Sequence, residues 1–383
     1  MKLTVKKSAI ESAANLLSRV INAKCALPIL GDILCEVCDK KMTMTASDAE
    51  VTLTTTIGLE EMEGDGRFCV DASRLKDALS QLDEQPLTIL ATTESDMRFI
   101  LKHQSGETFF PIENADEFPL PMKADYNETL DDMSGAWLRD ALKRSLWATA
   151  NDDLRPVMNG VNFALTEGFL DIVASDGHVM VKSHYSVIDK VKLNRIGSFI
   201  MPKKVAKILS DVLDPADILN IEWNERECHI HLMAVAGTLE ITFRIIEGKY
   251  PNYNSIIPSY QPLTAIVPRA FMANSIRKVI PFTTDNNGSK LLSMAFKKDE
   301  LTLTGEACDF TVGANDKFVV SYDGAPITIG VSGSRLLTIM SKLSGQQLVF
   351  GMNDPSRAIV IEPVEQPEEC EVLMLVMPMM LND

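Results

Sequence analysis

No glycine-rich phosphate loop occurs in this chain of 383 residues: Gly288-Ser289-Lys290 lacks both the earlier glycine and the Lys-Ser/Thr order of a Walker A motif, which argues against ATP hydrolysis. No apolar run approaches the length that spans a bilayer, and the basic start MKLTVKKSAI is followed by neither an apolar stretch nor a small-residue cleavage site. The seven cysteines are odd in number and irregularly spaced, so a disulfide framework is not expected and a reducing, cytoplasmic setting is. Metal patterns are missing too. Cys35 and Cys38 form a CxxC with no second pair; on a strand their side chains point to opposite faces, and both read as buried thiols. His229 and His231 share a strand face without a matching carboxylate or cysteine motif, so neither metal nor cofactor is expected. Positive net charge is also lacking: at −16 the chain taken whole argues against a nucleic-acid partner.

What the chain does have is a repeat at a spacing of about 130 residues. MTASDAEVTL (44–53), IVASDGHVMV (172–181) and LTGEACDFTV (303–312) form the first marker, and VDASRLKDALSQL (70–82), IMPKKVAKILSDV (200–212) and VSGSRLLTIMSKL (331–343) the second. A third, FPIENADEFP (110–119) and FRIIEGKYP (243–251), closes two copies; the last copy stops at VMPMML (376–381) without such an exit. Each copy is domain-sized and should own a core. Linkers at 119–132 and 251–262 place domains at 1–123, 124–253 and 254–383.

Six segments carry helical apolar spacing: 7–22, 73–82, 135–147, 203–213, 269–279 and 333–343. Ser8 with Glu11 reads as a capping box for the first. Segments such as 41–45, 218–223 and 229–233 alternate with period two and read as strands. Alternating strands offer one apolar face, which two helices per copy should cover, giving an α+β fold. The helical segments together carry a net +11, leaving −27 elsewhere, so cationic helices sit on an anionic body and reopen the possibility of DNA. Those cations are Arg74, Lys76, Arg139, Lys143, Arg144, Lys203, Lys204, Lys207, Arg277, Lys278, Arg335 and Lys342, with Lys7, Arg19 and Arg269.

Ser175, Asp176 and His178 could compose a hydrolase constellation, but Asp-Gly between strands is also what a tight turn needs, and the sister turn Asp48-Ala49-Glu50 has no histidine. Met374, Met377, Met379 and Met380 make the C-terminal run either core or an adaptable apolar binding surface.

Six short stretches in order (LPILG from Leu27, ASDAE from Ala46, RPVMNG from Arg155, ASDGH from Ala174, EGKYPNY from Glu247 and the terminal VMPMML) give the chain a resemblance, over essentially its whole length, to the bacterial DNA polymerase III beta subunit family of replicative sliding clamps. The resemblance implies the DNA clamp fold, three similar α+β domains per chain, and two chains closing head to tail into a homodimeric ring. Its helices would face double-stranded DNA without reading sequence, and Lys24 and Arg155 match DNA-facing basic positions of the family. It also implies a non-enzymatic processivity factor, loaded by a separate clamp-loader ATPase, that tethers the polymerase and other proteins through a peptide-binding cleft. That cleft carries over to Met158, Ser175, Gly177, His178, Met180, Pro251, Ile256, Val331, Val376, Met377, Pro378, Met379 and Leu381. Val179, Ser255 and Met380 replace basic residues of the family, so a more apolar, less cationic cleft is expected. Phe110 and Ile112 resemble one side of the family's dimer interface, Val279 and Ile280 the other. The rival readings are the hydrolase and a monomeric interaction scaffold.

Overall fold

A computed structural model describes residues 1–22, 25, 27–92, 97–120, 124–187, 192–193, 196–234, 237–283, 290–306 and 312–381. Six α-helices occur among them: α1 Lys7–Leu17, α2 Ala72–Ser80, α3 Gly135–Ser145, α4 Lys203–Val212, α5 Arg269–Val279 and α6 Gly333–Lys342. All six fall where apolar periodicity puts them. The ends differ by a few residues, most at α1, where the Ser18 hydroxyl donates back to the Ala14 carbonyl at 2.6 Å as the helix stops. The expected capping box does not form. Helix α1 starts two residues earlier than Ser8 would dictate, Lys7 takes Glu11 at 2.8 Å, and the Ser8 hydroxyl donates to Glu84 at 2.9 Å. Side-chain caps are found instead at α2, where Asp71 accepts from the Arg74 amide at 2.7 Å, and at α6, where Ser332 accepts from the Arg335 amide.

By its contacts the chain divides into two units. The first comprises Met1–Arg139, Lys190–Arg195 and Ile208–Ile245. Its five-stranded antiparallel sheet runs Glu61–Glu63, Lys2–Lys6, Pro86–Thr92, Arg98–His103, Gly106–Pro111, so Gly106–Pro111 is an edge. A nine-stranded sheet begins with Lys192–Leu193, Glu128–Ser134, Ile218–Trp223, Glu227–Ala234 and Gly237–Arg244, then continues through Val51–Gly58, Lys41–Ser47, Asp32–Cys38 and Gly66–Asp71. Residues 128–132, read from sequence as linker, are therefore strand. Helices α1 and α2 pack together, burying Ile10, Ala13, Ala14 and Leu17 from one and Ala72, Leu75 and Leu79 from the other. Each large aliphatic removed from water contributes about 2 kcal/mol.

The second unit comprises Asp140–Asp189, Ile196–Lys207 and Ile246–Asp383. Its nine-stranded sheet runs Gly197–Pro202, Gly160–Thr166, Phe169–Ser175, Val179–Ser186, Cys370–Val376, Ile359–Pro363, Gln347–Met352, Leu263–Pro268, Ser321–Tyr322. A four-stranded sheet runs Gly313–Val319, Glu300–Glu306, Leu291–Lys297, Ile327–Ser332, which makes Gly313–Val319 an edge.

Each sequence copy ends on the same backbone device. Cys69 and Glu113 exchange amide-to-carbonyl bonds of 3.0 and 2.9 Å, the Ile246 amide donates to Ile200 at 3.0 Å, and the Met379 amide donates to Gly330 at 2.8 Å. The last copy thus keeps its exit, contrary to the sequence reading. Backbone pairing alone is required there, so VMPM serves as well as FPIE.

Six cysteines among the described residues are free thiols, with Cys35 buried and Cys38 exposed, so only the first of the CxxC pair is the buried thiol expected. Asp32 is buried on the strand it begins and lies directly across from Asp71. Burial, reinforced by Glu113 and Asp71 and opposed by Arg74, pushes its carboxyl up to about 7. A folded-state value raised this far means the native state holds an extra proton between about pH 4 and 7. Ionised Asp32 therefore costs stability as pH rises through that window, fully so above it. Asp32→Asn should stabilise the fold by about 2–4 kcal/mol at pH 8 and by little at pH 4.5, as read from urea denaturation at the two values.

Candidate functional site

The turn joining Phe169–Ser175 to Val179–Ser186 is built by its own polar side chains. Asp176 Oδ1 accepts from the His178 and Val179 amides, both at 2.8 Å, while the Ser175 hydroxyl donates to the Val179 carbonyl at 2.7 Å and accepts from the Gly177 amide at 3.1 Å. Gly177 adopts φ +87°, the left-handed region that glycine enters without strain. The sister turn repeats this geometry: Asp48 Oδ1 accepts from the Glu50 and Val51 amides at 3.0 and 2.8 Å, and Ala49 takes φ +74°. The Ser175 hydroxyl is thus engaged with backbone, the Asp176 carboxylate with amides and with Arg335 at 3.3 Å, and His178 is exposed. Among the described residues the hydrogen-bond partners of the Ser175 hydroxyl are backbone groups, and the hydrolase reading is not supported.

The C-terminal segment lies against this turn. The Met377 amide donates to the His178 carbonyl at 2.8 Å, and two residues on Met379 bridges to Gly330. A Cβ on Gly330 would meet the Met379 carbonyl at 2.4 Å and Leu381 Cδ2 at 2.9 Å, so only glycine lets the segment lie this close. Beneath, Met180, Val173, Ala358 and Leu375 form a buried cluster covered by Tyr250, Tyr253 and Ile257. The Tyr253 hydroxyl donates to Asp171 at 2.8 Å, which pins the short helix Tyr253–Ile256 and leaves Ile256 exposed; Asp171 also holds Lys182 at 3.0 Å and His184 at 2.5 Å.

All thirteen predicted cleft residues lie in the second unit. Met158, Ser175, Met180, Val331 and Val376 are buried, whereas Gly177, His178, Pro251, Ile256 and Met377 are exposed and Pro378, Met379 and Leu381 half-buried. Arg155, assigned from sequence to DNA, lies over Gly177, which a Cβ would bring to 3.1 Å from its guanidinium, and donates to Asp152 at 2.8 Å. That bond holds the Asp152 carboxyl below its ordinary value. Arg335, likewise assigned to DNA, braces the turn through Asp176.

Among the helix cations, Arg74, Lys143, Lys203, Lys207, Arg277 and Lys278 are exposed; Lys76, Arg139, Lys204 and Lys342 are half-buried. Lys278 also pairs with Asp316 at 2.9 Å. Arg144 turns inward, donating to the Tyr185 hydroxyl at 3.0 Å beside Ser183 and Cys370. Lys24 lies outside the described residues.

Phe110, Ile112 and Val279 are buried in their own units, with Phe110 stacked 5.0 Å from Phe99, and Ile280 is half-buried at the end of α5. On the edge strand it is Phe109, next to Phe110, that faces out, 60% exposed, with Arg98 5.3 Å over its ring, in a surface depression of about 590 Å³ also lined by Met97 and Pro111. Val319, at the end of the other edge strand, is 77% exposed. His229 Nδ1 lies 3.0 Å from the Thr242 hydroxyl, and His231 Nδ1 lies 3.6 Å from Glu240.

Residues 1–122 match the family model of the DNA polymerase III beta subunit N-terminal domain, and residues 132–252 that of its central domain. The beta sliding clamp of Vibrio cholerae is 24% identical, covering 98% of this chain and 99% of its own length; that of Pseudomonas putida is 22% identical over the whole of both. In fold the chain is similar to a crystal structure of the DNA polymerase III subunit beta from Pseudomonas aeruginosa, with a TM-score of 0.90 at 21% identity and full coverage of both chains. A sliding clamp of the same organism bound to griselimycin superposes with a TM-score of 0.91 at 20% identity, again over both whole chains.

Proposed function

Because the chain belongs to the DNA polymerase III beta subunit family, it is a DNA sliding clamp and not an enzyme, and we propose that two copies join head to tail into a ring around duplex DNA. The observation that carries the ring is the pair of sheet edges, Gly106–Pro111 in one unit and Gly313–Val319 in the other. Each presents a row of backbone groups paired on one side only, and each carries an exposed apolar side chain, Phe109 or Val319. An unprotected edge is a template for a further strand, and joining unlike edges generates a closed ring when the rotation closes.

In this reading the chain is organised as three domains at 1–123, 124–253 and 254–383, and the exposed cations of α2 to α5 meet phosphate, which carries no sequence information and permits sliding. The cleft receives peptides of the replicative polymerase and other partners. A separate clamp-loader ATPase opens the ring, and the clamp works in the cytoplasm on the nucleoid.

The test is retention on DNA. Clamps loaded on nicked circular plasmid should stay through gel filtration and be lost within minutes of linearisation, because the link is topological. Lys143→Glu, Lys203→Glu and Arg277→Glu together should shorten retention on circles several-fold and weaken its dependence on salt, since each neutralised phosphate releases counterion. Retention that survives linearisation with unblocked ends would overturn the ring.

A further inference from the structure

Resting on the reading of the turn and C-terminal segment as a peptide-binding cleft, we infer that this cleft recognises partner peptides through their apolar side chains alone, and that peptide carboxylates contribute nothing to recognition. The argument is an account of the cations. Two guanidinium groups reach the Ser175–Val179 turn, and each already holds a carboxylate: Arg155 takes Asp152 at 2.8 Å and Arg335 takes Asp176 at 3.3 Å. The Lys182 ammonium holds Asp171 at 3.0 Å and lies 5.6 Å over the Tyr253 ring. On the 247–251 segment exposed Lys249 has the opposite charge of exposed Glu247 two residues away in sequence. An incoming carboxylate would exchange one ion pair for another in a wet, screened setting where such pairs are worth little.

Large apolar side chains stand exposed beside these ions. Leu154, next to Arg155, is 91% exposed, and Met380, on the C-terminal segment, is 93% exposed, with Met377 and Ile256 less so. Large apolar side chains held out in water beside a groove are covered by apolar groups of a ligand, and thioethers repack to suit several of them. The partner chemistry that fits is therefore a short peptide held by an apolar end, whose flanking carboxylates add nothing, bound with little dependence on salt.

The experiment is a fluorescence-anisotropy titration of the protein with two labelled hexapeptides that share an apolar Leu-Leu end and differ at one upstream residue, Asp or Asn. The Asp and Asn peptides should bind within about twofold of each other, and raising NaCl from about 50 to 500 mM should change neither by more than about twofold. Tighter binding of the Asp peptide by about fivefold or more, lost with salt, overturns the inference. Met380→Arg with Ser255→Arg, both at exposed positions, should create a preference for the Asp peptide of about threefold to tenfold; no change would show that the peptide's flank does not face these positions. Deleting Met377–Leu381 separates the two levels of the argument. If peptide binding survives that deletion, the cleft itself is misplaced and the inference falls with it; if binding is lost while the Asp preference is present in the intact protein, only the specificity is wrong.

Discussion

Phe109→Asp is expected to give a folded monomer that no longer stays on circular DNA. Phe109 is the exposed member of the Phe109-Phe110 pair on an edge strand, so the substitution removes no core packing and should leave thermal stability unchanged. In a head-to-tail ring the same residue lies in both interfaces. Losing a central aromatic anchor costs at least about 2 kcal/mol per interface, and a desolvated carboxylate adds to that. Two interfaces then weaken the ring by about a thousandfold or more. Light-scattering mass at micromolar concentration should fall to that of one chain, and Val319→Asp on the opposite edge should do the same. Phe110→Asp serves as the contrast, because its ring stacks on Phe99 in the core and its loss should lower the melting temperature instead. A Phe109→Asp protein still dimeric at micromolar concentration would remove the edge-to-edge assignment.

The same pair of phenylalanines marks what sequence can and cannot tell. Periodicity located the six helices because three- and four-residue apolar spacing is a local signal, and the Asp48 and Asp176 turns were legible because their side chains bond their own backbone. Two adjacent apolar residues on a strand carry no phase, however, and a shift of one position exchanges the faces. Phe109 and Phe110 are such a pair, and only the fold shows that Phe109 faces out while Phe110 stacks on Phe99. Arg144 and Arg335 count as helix cations in sequence, yet one reaches Tyr185 and the other Asp176, partners 41 and 159 residues away, which spacing within a helix does not reveal. The continuity of each nine-stranded sheet was hidden for the same reason: Gly237–Arg244 pairs with Val51–Gly58, and Cys370–Val376 with Val179–Ser186, through long-range register alone.

Gly330→Val is expected to abolish peptide binding without touching the ring. The strand Ile327–Ser332 lies under the C-terminal segment, and at Gly330 the closest atoms to an added Cβ are the Met379 carbonyl oxygen at 2.4 Å and Leu381 at 2.9 Å and beyond. A backbone atom at that distance has to move, and moving it breaks the 2.8 Å bond from the Met379 amide to the Gly330 carbonyl. The bond from the Met377 amide to His178 would then hold Met377–Leu381 alone, and a short segment held by one backbone bond frays readily. The sheet itself should tolerate the change, since valine suits a strand and the clash lies with the segment above it. Peptide affinity should fall by more than tenfold, while mass and retention on circular DNA remain those of the parent protein. A Gly330→Val clamp that binds the Asn hexapeptide as tightly as the parent would show that the C-terminal segment is not a wall of the cleft.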